Sequence, residues 1–88
     1  MSGEYVIINN DLILSSAGKN IRDNIKVSNS GINWFKLEKQ DNYYIIKNIK
    51  TGYILDAQNG ETASGTNIWQ YRNNNTDAQK WFLIRNNN

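Results

Sequence analysis

Apolar residues along this chain come in short alternating or clustered runs, separated by Asn, Gly, Ser and Asp, with little sign of the three-to-four-residue spacing of an amphipathic helix. The pattern predicts an all-β protein. Four strands are expected in the first half, at residues 4–8, 11–14, 24–27 and 33–37. Four more are expected in the second half, at residues 43–49, 53–56, 67–71 and 79–84. The run Asn73-Asn74-Asn75-Thr76-Asp77 reads as a polar turn region, and residues 86–88 as a frayed tail.

The two halves can be laid over each other. Val6-Ile7-Ile8-Asn9 matches Tyr44-Ile45-Ile46-Lys47, Leu12-Ile13-Leu14-Ser15 matches Tyr53-Ile54-Leu55-Asp56, Asn24-Ile25 matches Asn67-Ile68, and Trp34-Phe35-Lys36-Leu37 matches Trp81-Phe82-Leu83-Ile84. The separation drifts from 38 to 47 residues (44 − 6, then 81 − 34), so the second copy has the longer turns. This predicts one domain over 1–88 made of two repeats, 4–38 and 43–85. A unit of about 40 residues with four short strands cannot bury its apolar face alone and must pack against copies of itself. Trp34 and Trp81 are expected to be shared core anchors, each costing about 3 to 5 kcal/mol on truncation to Ala.

At 88 residues, 39% hydrophobic and 20% charged, the chain is near the lower end of sizes that fold without disulfides or metals. A deep cofactor cavity would take core it cannot spare, so no cofactor is expected and any site should be shallow. Cysteine and histidine are both absent. That removes thiolate nucleophiles, Ser-His and Cys-His catalysis and nearly every zinc arrangement, and no metal site is expected. An enzyme would have to work with carboxylates alone; Asp56 and Glu61 are the one plausible pair, and so small a fold offers them little burial, so no enzymatic activity is expected.

Ten basic against eight acidic residues leave a net charge of +2, scattered rather than gathered into a stripe, so no nucleic-acid partner is expected. The apolar run at residues 5–8 is far too short for a signal-peptide core or a membrane span. The absence of cysteine suits a cytosolic protein and equally a secreted module held by packing. Abundant Asn, Ile, Lys and Tyr suggest a bacterium or phage with an AT-rich genome.

The second half carries a more specific pattern: Gly52-Tyr53-Ile54-Leu55-Asp56, then Gly65-Thr66-Asn67-Ile68, then Thr76-Asp77-Ala78-Gln79-Lys80-Trp81. It resembles a subdomain of the ricin B-chain type lectins, with Gln79-Lys80-Trp81 matching that family's Gln-any-Trp signature. The resemblance implies a β-trefoil, built from three such repeats about a pseudo-threefold axis, and binding of galactose-type sugars or of cell-surface or cell-wall glycans. In the first half Ile32 stands where the signature Gln belongs, and only Trp34 survives.

Sugars are held by carboxylates that accept hydroxyl hydrogens, by amides that donate and accept, and by aromatic faces over the C–H patch of the ring. By the resemblance, Asp56 clamps adjacent hydroxyls and Tyr71 is the stacking platform, while Gln79 either holds the Asp56 side chain or reaches the sugar. Gln58 and Glu61 are expected in one wall, and Trp69 faces them as core, partner surface or sugar platform. Ala78 departs from the Asn that often stands there; Asn74 or Asn75 is the available substitute. Each residue also has a plain structural role open to it: turn capping for Asp56, strand packing for Tyr71, loop tying for Gln79.

In the first repeat the positions of Asp56, Tyr71 and Gln79 fall on Ser15, Ser28 and Ile32, so it is expected to be scaffold. One site per chain implies a Kd of about 0.1 to 1 mM, or about −4 to −5.5 kcal/mol, raised to useful affinity by multivalency. Two repeats of three leave strand edges to be covered, by self-association, by a third repeat elsewhere, or by a smaller closed barrel. The expectation is a non-catalytic lectin that forms a homo-oligomer or belongs to a larger toxin or hydrolase assembly, secreted or acting at a cell surface. The alternative is a structural or protein-interaction trefoil that has lost sugar binding.

Overall fold

The computed structural model describes residues 3–29 and 31–84, so the tail expected at 86–88 lies outside the described residues. The strands are β1 Gly3–Tyr5, β2 Ile8–Asn9, β3 Leu12–Ser16, β4 Ile25–Ser28, β5 Phe35–Lys39, β6 Tyr44–Asn48, β7 Ile54–Ala57 and β8 Ile68–Tyr71. Two single-turn 3-10 segments, Gln58–Gly60 and Asp77–Gln79, follow β7 and β8. A five-stranded antiparallel sheet runs β1-β5-β6-β7-β8, and a three-stranded one runs β2-β3-β4. The all-β reading holds, and the architecture is that of a partial β-trefoil.

Two hairpins carry the same register. In β3–β4 the pairs are Ile13 with Ser28, Leu14 with Val27, Ser15 with Lys26 and Ser16 with Ile25. In β7–β8 they are Ile54 with Tyr71, Leu55 with Gln70, Asp56 with Trp69 and Ala57 with Ile68. Since side chains alternate faces along a strand, Ser15 and Asp56 occupy the same place in their hairpins, as do Ser28 and Tyr71.

Three expectations need correcting. The strand expected at 4–8 is broken at Val6 and Ile7, because β1 pairs with β5 while β2 pairs with β3, and the chain passes from one sheet to the other between them. The strand expected at 79–84 is reduced to a bridge in which Tyr44 and Trp81 exchange backbone hydrogen bonds of 2.7 and 3.0 Å. Gln79 belongs to the preceding 3-10 turn, and residues 82–84 run on exposed, with no strand among the described residues pairing them. Trp34 is no core anchor: it is 50% exposed, and its neighbour Phe35, on the opposite face of the chain, is fully buried. In the second copy the order is reversed, with Trp81 packed on the core and Phe82 66% exposed.

The apolar core is small: Phe35, Ile46 and Leu55, flanked by Leu14, Ile25, Leu37, Ile68 and Trp81. Beside it lie two fully buried amides. Gln70 Oε1 accepts from the hydroxyls of Ser16 (2.6 Å) and Thr51 (3.0 Å), and its Nε2 donates to the carbonyls of Gly18 (3.1 Å) and Asn20 (2.8 Å). Asn48 Nδ2 donates to Ser16 Oγ and Asn33 Oδ1, both at 2.8 Å. Every polar atom of Gln70 is used, so this buried network ties the first half to the second without an orphaned group.

Candidate functional site

Asp56 and Trp69 face each other across β7–β8, and Tyr71 lies two residues further along β8 on the same face as Trp69. The two rings stack with centroids 5.8 Å apart and planes 10° from parallel. Together they form one aromatic wall beside a carboxylate.

That carboxylate is held from two directions. Trp69 Nε1 donates to Asp56 Oδ1 and Gln79 Nε2 donates to Oδ2, each at 2.8 Å. Only 4% of Asp56 is exposed, and it has no ion pair among the described residues. Each oxygen still has a second lone pair, so two acceptor positions are left for hydroxyl donors. Gln79 is fully buried, with Nε2 donating also to the Arg72 carbonyl (2.8 Å) and Oε1 accepting from Asn74 N (3.0 Å). Gln79 thus holds the Asp56 carboxylate with one amide hydrogen and ties it to the Arg72–Asn74 backbone.

A cleft of about 380 Å³ lies over these groups, lined by Asp56, Trp69, Tyr71, Asn74 and Ala78 among others, within the range of about 300 to 1,000 Å³ typical of small-ligand sites. Asp56 and Tyr71 therefore meet in one cleft. Asn74 turns its Oδ1 towards Thr76 N and Oγ1 (3.2 and 2.7 Å), and its Nδ2 donates to no other described residue. Asn75 is not among the lining residues.

Gln58 and Glu61, expected in the wall, do not line the cleft; Asn59 and Gly60 do. The backbone explains this. Asn59 (φ 58°) and Gly60 (φ 68°) both adopt left-handed conformations that bring the turn itself over the site. Gln58 Oε1 is taken up by Asn67 Nδ2 at 2.9 Å, and Glu61 stays exposed. Trp69, whose role the sequence left open, is half-buried in the cleft wall and bonded to Asp56.

Sequence reasoning missed Arg22, Thr76 and Asp77 in the lining. Thr76 and Asp77 sit in the turn region already recognised. Arg22 comes from the other half of the chain, and nothing in its local sequence marks it; only the docking of residues 22–24 on β8 reveals it.

A family model described as ricin-type β-trefoil lectin domain-like matches residues 32–88, well over half of the chain. The chain belongs to this family. No curated protein and no solved structure matches it. The ricin-type match begins at Ile32, so it takes in β5 to β8 and every lining residue of the Asp56 cleft except Arg22, and leaves out β1 to β4. Membership makes the chain a lectin-like carbohydrate-binding module at the family level, of a domain type that is typically non-catalytic.

Proposed function

We propose that the chain binds glycans non-catalytically through one shallow site, the Asp56–Tyr71 cleft, with galactose-type sugars or cell-surface and cell-wall glycans as ligands. The observation that carries this reading is the meeting of a carboxylate with two spare acceptor positions and a two-ring aromatic wall in one ligand-sized cleft. Asp56 accepts hydrogens from adjacent sugar hydroxyls, Tyr71 and Trp69 cover the C–H face, and Asn74 Nδ2 donates where Ala78 cannot. Ser15, Lys26 and Ser28 stand at the matching positions of β3–β4, with neither carboxylate nor ring, which supports a single site per chain.

Gln79 is a positioning residue on this reading, and Gln58 and Glu61, which do not line the cleft, are given no contact with the sugar. The module works as a homo-oligomer or inside a larger toxin or hydrolase assembly. Support for that comes from the edge of β1 and from residues 82–84, which find no pairing strand among the described residues and leave apolar side chains exposed.

The test is a glycan array on the unmodified chain and on Asp56→Ala, with folding of both checked by circular dichroism. Binding that disappears in the folded variant supports the assignment. Absence of binding to any glycan or cell wall would overturn it in favour of a protein-interaction module.

A further inference from the structure

Arg22 enters the cleft from the opposite half of the chain. Its guanidinium carbon lies 5.3 Å from the centroid of Tyr71 and 6.0 Å from that of Trp69, both within reach of a cation–π contact. Arg72 approaches Tyr71 as well, at 4.9 Å.

This placement is built rather than incidental. Arg22 N donates to the Gln70 carbonyl (2.8 Å), Gln70 N donates to the Asp23 carbonyl (2.9 Å), and Asn24 bridges to Trp69. Asn67 Nδ2 adds a bond to Asn24 Oδ1 at 2.7 Å. The turn is closed on itself by Asn20 N donating to Asp23 Oδ2 (2.9 Å). Arg22 itself has φ 74°, a left-handed conformation that a long non-glycine side chain rarely takes and that costs on the order of 1 kcal/mol. The chain accepts that cost at the residue whose side chain reaches the aromatic wall.

The acidic groups that share the cleft with Arg22 are already engaged. Asp77 is paired with Lys80 at 3.2 Å, and Asp56 is held by Trp69 and Gln79. Arg22 has no ion pair among the described residues. Arg72, the other guanidinium on Tyr71, also has no ion pair among the described residues but does not line the cleft. A guanidinium lying over rings spends its flat face on them and keeps its in-plane N–H donors for something else, and that fork matches a carboxylate or sulfate.

Resting on the saccharide-binding reading above, we propose that Arg22 makes this site selective for acidic saccharides, which carry a carboxylate or sulfate against its donor edge while the sugar ring occupies the Asp56–Tyr71 cleft. A neutral sugar offers Arg22 only hydroxyl and ring oxygens, weaker partners than a charged group, and has to share Tyr71 with it.

Isothermal titration with galactose, galacturonate and galactose 6-sulfate tests this, the last two separating the carboxylate source from the sulfate one. At least one acidic probe should bind about tenfold more tightly than galactose, equivalent to about 1.4 kcal/mol. Raising salt from about 0.05 to about 0.5 M should erode that preference, because an exposed charge pair is screened. Arg22→Asn, which tolerates the left-handed backbone, should bring the affinity ratio to about one; Arg22→Lys should retain part of it. Equal binding of all three sugars, or an acidic preference that Arg22→Asn leaves unchanged, would overturn the proposal and make Arg22 a cover for the ring, while the cleft would keep its sugar-binding role. Failure of the unmodified chain to bind any saccharide would overturn both. The salt series needs no variant, so poor folding of Arg22→Asn does not remove the test.

Discussion

Gln79 Nε2 donates to Asp56 Oδ2 at 2.8 Å although 23 residues separate the two, and neither side chain is more than marginally exposed. The signature glutamine is thus a brace that holds a buried carboxylate in place. Gln79→Ala removes that donor together with the acceptor for Asn74 N, leaving buried groups without partners at a cost of about 1 to 3 kcal/mol each. A fall of about 4 to 8 °C in melting temperature per kcal/mol is expected for a domain of this size. Gln79→Glu should be worse, because it sets one carboxylate against another. Thermal unfolding followed by circular dichroism checks both, and weaker glycan binding in whatever remains folded checks the link to the site.

Tyr71 separates a ring contact from a hydroxyl contact. If its face is what a sugar covers, Tyr71→Phe keeps affinity within about threefold, whereas Tyr71→Ala loses the aromatic contribution of about 0.5 to 1.5 kcal/mol and more from lost apolar burial. About tenfold weaker binding is expected for the Ala variant by titration with the same glycan. Equal losses in both variants would point to the phenol oxygen instead.

Gln70 is expected to matter to stability beyond its size. It is fully buried and bonds Ser16, Gly18, Asn20 and Thr51, so Gln70→Leu keeps the volume but takes a partner from two carbonyls and two hydroxyls. At about 1 to 3 kcal/mol per stranded group, the loss is a large part of the total stability of a small domain, about 5 to 15 kcal/mol. A urea unfolding midpoint that moves by less than the equivalent of about 1 kcal/mol would show that water replaces the amide. Because the same residue carries the backbone that holds Arg22, loosened binding should accompany the lost stability.

Much of the architecture was legible because strands announce themselves through alternation and turns through Asn and Gly, and Asp56 and Tyr71 lie on two strands of one hairpin whose spacing the sequence displays. What could not be read depends on tertiary partners. Trp34 and Phe35 are adjacent and both large and apolar, so which one turns inward is decided by β1 and β6 on either side of β5, not by local pattern. Residues 82–84 have strand-forming side chains but no strand to pair with among the described residues, and propensity alone cannot supply one. Arg22 reaches the cleft through backbone bonds to β8 made across 48 residues of chain (70 − 22), which no local window contains. The buried amides were equally invisible, since Gln70 and Asn48 look like surface residues until four or five partners from both halves surround them.

The free edges lead to a prediction about assembly. Among the described residues β1 pairs only with β5, and Tyr5, Ile7 and Ile8 near it are exposed, as are Phe82, Leu83 and Ile84 beyond the Trp81 bridge. An edge strand with open N–H and C=O groups and uncovered apolar side chains recruits another strand unless charge or cover prevents it. Light scattering of the unmodified chain should therefore give a mass above that of the 10.2 kDa monomer, falling on dilution. Leu83→Lys puts a charge where the incoming strand would lie, at a residue that is 52% exposed and makes little contribution to the core. It should weaken association at least about tenfold while shifting unfolding by no more than about 0.5 kcal/mol, the range typical of surface substitutions. A monomeric mass for the unmodified chain at every concentration would mean that these edges are covered by something other than a second copy, and the glycan affinity measured then would be that of one site acting alone.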